Sequence, residues 1–167
     1  MELFSLISKY FWIVAILVTG INLIIFRKRA QKYIKKTPQR EEEYTALFRG
    51  FLFWINIPWI IMGIGCTIGG VPSIWHYFRP RDGNPYVLAW FGSVFLIWIL
   101  GTYWLFLRGG AEKLAQHPGM LELRYGFKRK DITNPALIKT FCVLALAGGI
   151  VAVVLMWSLQ FPIPTFR

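Results

Sequence analysis

The 167 residues predict an all-α integral membrane protein with four transmembrane helices and both termini outside (N-out/C-out). Three observations carry that prediction: composition, the spacing of charges, and the sidedness of Lys and Arg. The chain is 56% hydrophobic and 16% charged, where ordinary soluble domains are about 45–50% apolar and about 25% charged. A domain of about 150 residues buries only about 70% of the surface its unfolded chain exposes, so so much apolar surface cannot be hidden in one small core. A soluble globular enzyme, a disordered tail and a disulfide scaffold are thereby excluded.

Four windows contain no Asp, Glu, Lys or Arg: Tyr10–Phe26, Gly50–Phe78, Gly83–Leu107 and Thr140–Phe166, of 17, 29, 25 and 27 residues. About 20 helical residues cross a hydrocarbon core of about 30 Å, so each window crosses once. The expected spans are 5–26, 50–70, 86–107 and 138–160, in a single domain over 1–167, with an outer loop at 71–85 and cytoplasmic loops at 27–49 and 108–137.

Span one borrows Phe4–Ser8, with Lys9 snorkelling past the headgroups. Its positive flank follows the apolar run and no small-residue cleavage site is evident, so it is expected to be an uncleaved anchor. If the helix continues past Phe26, then Phe26, Ala30, Tyr33 and Ile34 share one face and Lys28, Lys32 and Lys35 another. Such a basic face suits anionic headgroups, at about 1 kcal/mol for each Lys or Arg. The blander reading, that these charges only fix topology, is preferred. The cluster Lys128, Arg129 and Lys130 is weighed in the same way. Neither stretch sits on a nucleic-acid-binding motif.

The helix of span two starts in water at Thr37–Pro38, where Thr suits an N-cap and Pro the first turn. Glu41, Glu42 and Glu43 then lie near the positive end of the helix dipole. Pro58 removes a backbone hydrogen bond and crowds the carbonyl of Trp54, so a kink is expected beside Asn56. Asn56 either satisfies the freed carbonyl, the favoured reading, or lines a cavity. Gly65 and Gly69 form a G-x-x-x-G pair, and Gly69, Gly70 and Pro72 mark the end of the span. In the loop that follows, Arg79 and Arg81 could hold a phosphate or carboxylate, but Asp82–Gly83 and Asn84–Pro85 read first as turns.

The segment after span three is read as a loop with one short helix at Ala111–His117, and His117–Pro118–Gly119 as a turn. Asn134–Pro135 opens span four, and Pro162 and Pro164 end it. Ala145 with Gly149, and Gly148 with Ala152, give span four its own small-residue stripe, which is expected to pack on Gly65 and Gly69 of span two.

Charge sets the orientation. Arg27–Arg49 carries a net +5 and Arg108–Lys139 a net +4; fifteen of the nineteen Lys and Arg lie in these two segments. The positive-inside rule places both in the cytoplasm, and Trp12, Trp75, Trp90 and Trp157 then fall near the outer interface.

Several chemistries have no support. No Asp, Glu, Lys or Arg lies deep within any span, which argues against proton-driven transport. Cys66 and Cys142 sit at different depths, too far apart for a disulfide. His76 and His117 fall on opposite sides and cannot share a metal or a haem. Glu41–Glu43 with Arg49 lacks the spacing of the paired-glutamate motif of CAAX-type membrane proteases. No nucleotide-binding loop, serine-hydrolase or zinc-protease motif occurs. No cofactor is therefore expected.

The functional expectation is a small accessory or structural subunit, or assembly factor, of a larger membrane complex, without catalytic machinery. Its partners would be the bilayer, anionic headgroups at the cytoplasmic face, and a larger complex or a second copy. A bacterial inner membrane is inferred from the small size and short loops. The alternative is a channel or carrier for an uncharged or lipidic solute centred on Asn56 and Pro58.

Overall fold

A computed structural model describes residues 2–125, 128–159 and 161–164; the side chains of Glu2, Arg124, Tyr125, Lys128 and Arg129 fall outside the description. The chain is mostly helical: α1 (Glu2–Lys9), α2 (Phe11–Ile34), α3 (Glu41–Thr67), α4 (Pro85–Leu107), the short α5 (Gly110–Ala115) and α6 (Pro135–Ser158). Between α5 and α6 lies an antiparallel pair, β1 (Glu122–Tyr125) and β2 (Lys128–Asp131). Helices α2, α3, α4 and α6 are long and apolar enough to cross a membrane.

Two local features depart from the sequence expectation. Span one is not one continuous helix, because the chain bends at Tyr10 between α1 and α2. The fold is not purely helical: Glu122 faces Asp131 and Leu123 faces Lys130 across a two-stranded pair. Lys and Arg are poor strand formers by themselves, and the pairing prevails because Ile132 and Met120 beside it are buried in an apolar cluster. In line with the expected start at Thr37–Pro38, the helices outrun the uncharged windows. Residues 27–34 belong to α2 and 41–49 to α3, since a charge ends a stretch suited to lipid without ending a helix.

The ends of the long helices show how local sequence sets the boundaries. Asn134 accepts the N–H of Ala136 at 2.9 Å and so caps α6. Asn84 does the same for α4, taking the N–H groups of Tyr86 at 3.0 Å and Val87 at 3.4 Å, so Asn84–Pro85 is a helix start as well as a turn. Thr37 behaves differently. Its hydroxyl donates back to the Tyr33 carbonyl at 3.0 Å, and a single 3-10 turn at Pro38–Arg40 leads into α3. Helix α3 runs helically through Pro58 and closes after Thr67, where the N–H of Val71 donates to the Gly65 carbonyl at 3.0 Å.

The chain divides into two compact units. The first comprises Met1–Thr19, Trp54–Ile97 and Ala147–Arg167, the second Gly20–Phe53 and Trp98–Leu146. The first has a core of Met62, Cys66, Val71, Tyr77, Val87 and Phe91, with Trp12, Trp59, Tyr86, Trp90 and Met156 packed around it. The second is built on Ala30, Tyr44, Leu47, Phe48, Leu105, Leu114, Met120 and Ile138.

Candidate functional site

The first unit is held by rings on a glycine face. Within it, Gly65 of α3 lies under the Tyr77 hydroxyl and the Tyr86 Cβ, and Gly69 under the Tyr86 ring; a methyl group at either position would overlap those side chains. The G-x-x-x-G pair therefore receives tyrosines from the following loop and from the start of α4, not span four. On α6, Ala145, Gly148 and Ala152 are exposed, and a Cβ at Gly148 would meet nothing within 4 Å. Spacing along one helix marks residues suited to close approach but says nothing about which element fills the groove.

Around this face the aromatic side chains interlock. Tyr77 and Trp90 meet edge to face at 5.8 Å, Trp90 and Phe91 at 4.9 Å, and Phe91 and Trp157 at 4.8 Å, separations typical of favourable ring pairs. The buried Tyr77 hydroxyl donates to the Met62 carbonyl at 3.2 Å. Burial pushes the Tyr77 phenol well above its ordinary value, and the adjacent Cys66 thiol acts in the same direction. Asn56 is buried, at 7% exposure. A cavity of about 350 Å³ lies along α3 beside Glu41, Glu42, Thr45, Ala46 and Arg49, and Asn56 is not among its lining residues. In the loop, Arg79 lies 3.2 Å from Asp82, three residues on. One of the two expected anion-holding arginines is thus engaged by its own turn, while Arg81 is exposed.

The second unit is joined by polar contacts between elements distant in sequence. His117, only 1% exposed, lies at its centre. Its Nδ1 is 2.6 Å from the Lys113 carbonyl and its Nε2 is 2.8 Å from the Glu43 carboxylate of α3. Tyr44 stands edge-on to the ring at 4.7 Å and donates its hydroxyl to the Pro118 carbonyl at 2.9 Å. Arg40 donates to the Gln116 carbonyl at 2.8 Å. The next turn is tied to β2 and α2: the Gly119 N–H donates to Asp131 at 3.0 Å, and the Tyr33 hydroxyl donates to the other carboxylate oxygen. Gly119 has φ +86 and stands where a Cβ would be 3.1 Å from the Ala30 Cα, so only a residue without a side chain fits. Two ion pairs complete the network, Arg29 with Glu122 at 3.4 Å and Lys139 with Glu112 at 2.7 Å. The Lys139 ammonium holds the Glu112 carboxyl below its usual range.

The residues expected to form a basic face are distributed as follows. Lys28, Lys32 and Lys35 are exposed on and just beyond α2, with the Lys32 ammonium over the Tyr33 ring at 4.6 Å. Lys130 of β2 is exposed; the side chains of Lys128 and Arg129 lie outside the described residues. Sequence reading missed His117 and Glu43 as a pair, and Asp131 as the residue to which α2 and the turn are tied. The pairs stand 74 and 98 residues apart for Glu43–His117 and Tyr33–Asp131, and no local spacing signals contacts of that range. Among the described residues, no group of three or more His, Cys, Asp or Glu is arranged to hold a metal ion.

Compared with known families, curated proteins and solved structures, the chain matches no family model, no curated protein and no solved structure.

Proposed function

We propose that this chain is a four-span protein of a bacterial inner membrane, with both termini outside, acting as an accessory or structural subunit, or assembly factor, of a larger membrane complex. One observation carries the reading. The most apolar windows of α2 and α6 have none of their residues buried within the chain. Leu17, Ile21 and Ile24 on α2, and Leu144, Val151 and Val154 on α6, all point outward. At about 25 cal/mol per Å² of apolar surface, such faces are stable only against lipid or the helices of another protein. The concentration of Lys and Arg in 27–49 and 108–139 supports placing those segments on the cytoplasmic side, where Lys28, Lys32, Lys35 and Lys130 meet anionic headgroups.

The test is isolation of the tagged full chain in a mild detergent, followed by mass spectrometry of what co-purifies. Recovery within one larger membrane assembly supports the role, and a lone monomer overturns it. A reporter fused after Arg167 should read extracytoplasmic; a cytoplasmic signal rejects the orientation.

A further inference from the structure

The two contacts of the His117 ring cannot both be hydrogen bonds of a neutral imidazole beside an ionised carboxylate. The Lys113 carbonyl can only accept, so Nδ1 of His117 carries a hydrogen at 2.6 Å. A neutral imidazole has one N–H, which leaves Nε2 as a bare lone pair 2.8 Å from a carboxylate oxygen of Glu43. Two acceptors at that separation repel. The contact is attractive only when the pair holds one further proton, and it is then a charge-assisted hydrogen bond of the strong kind.

We propose that the His117–Glu43 pair is a protonation-dependent clasp, which docks the segment from α5 to Gly119 onto the first turn of α3 when the proton is bound and loosens it when the proton is lost. Each element packed around the ring contributes its own groups. From α3, Glu43 supplies the carboxylate and Tyr44 an edge-on ring whose hydroxyl is committed to Pro118. From the turn before α3, Arg40 is committed to the Gln116 carbonyl. From α5, Lys113 offers its carbonyl to the ring, and Glu112 is paired with Lys139. From β2 and α2, Asp131 and Tyr33 bond to each other and to Gly119, two residues beyond the ring. Imidazole is the side chain that ordinarily changes charge between about pH 5 and 8, which sets the range over which the clasp is tested. Burial of the ring at 1% exposure denies it water as a substitute partner.

The test uses the full chain in detergent micelles. Amide hydrogen exchange of peptides covering 110–120 is followed from pH 5 to pH 8, corrected for the intrinsic pH dependence of exchange. Protection should fall about tenfold as pH rises, the scale of one charge-assisted hydrogen bond. Glu43→Gln should abolish that dependence, since an amide can donate to the bare Nε2 and accept from the protonated one. A flat profile in the unaltered chain, or an unchanged slope in E43Q, overturns the proposal. If E43Q does not fold, ¹⁵N shifts of the His117 ring decide: a singly protonated ring at a pH where the segment is still fully protected overturns it equally.

Discussion

The two units reach order by different means. The first, with Tyr77, Trp90, Phe91 and Trp157 around the glycines of α3, relies on shape, and it holds short-range polar contacts such as Ser73 with His76 and Arg79 with Asp82. The second joins α2, α3, α5 and β2 through side chains 74 to 98 residues apart. The difference follows from what each must satisfy. Helices α3 and α4 within the first unit pair their own backbone groups, leaving mainly apolar faces to be fitted together. The second contains short elements and turns, whose free carbonyls at Lys113, Gln116 and Pro118 need donors. Uneven charge placement is the same fact seen in the sequence.

The largest expected effect comes from filling the groove of the first unit. Gly65→Leu with Gly69→Leu must displace Tyr77 and Tyr86. Overpacking costs about 1–3 kcal/mol per site, so the double variant should lose about 4 kcal/mol and fail to give monodisperse protein on size exclusion. Gly92→Leu in the same unit, where a Cβ meets nothing within 4 Å, should purify like the unaltered chain. Equal behaviour of the two variants would show that fit does not govern this unit.

In the second unit the sensitive position is Gly119. Its positive φ and the Ala30 backbone 3.1 Å from a prospective Cβ make Gly119→Ala cost about 2–3 kcal/mol. The loss should be read in thermal unfolding of the purified chain. Because Gly119 also presents its N–H to Asp131, Asp131→Asn in the G119A background should add less than it does alone, a non-additivity expected of contacting sites.

What the sequence revealed follows the same division. The four apolar helices were legible because uninterrupted apolar windows record a solvent preference residue by residue. The starts at Asn134–Pro135 and Thr37–Pro38 were legible because capping is local, although Thr37 turned its hydroxyl back to Tyr33. The bend at Tyr10 was not legible, since Lys9 and Tyr10 are no helix breakers. Nor was the β1–β2 pair, since β2 is Lys-Arg-Lys-Asp with no apolar residue and the alternation of β1, Glu-Leu-Arg-Tyr, runs for only four residues. The candidate site was less legible still. Gly65 and Gly69 were recognised by spacing but not matched to Tyr77 and Tyr86, and His117 read as a turn residue because its partner Glu43 lies on another helix.

On α6 a smaller change carries the opposite sign. Gly148 is exposed with open space where a Cβ would lie, and Gly in a helix interior costs about 0.5–1 kcal/mol relative to Ala. Gly148→Ala should therefore stabilise the isolated chain by that amount. A destabilisation seen only in the native membrane, and absent in micelles, would identify this face as one that another helix covers.

The smallest effect concerns the Lys139–Glu112 pair, which bridges α6 and α5 at the surface of the second unit. The Lys139 ammonium lowers the folded-state titration of Glu112, so the folded state prefers the ionised carboxylate. That contribution is present above the carboxyl's unfolded value and is lost as pH falls through the lower folded one. Lys139→Met should return Glu112 toward its ordinary range, seen by ¹³C NMR of the carboxyl, while unfolding at neutral pH barely changes because exposed pairs contribute little. A large loss of stability at neutral pH would mean that the surface pairs of the second unit, and not only its buried contacts through His117 and Asp131, hold α5 in place.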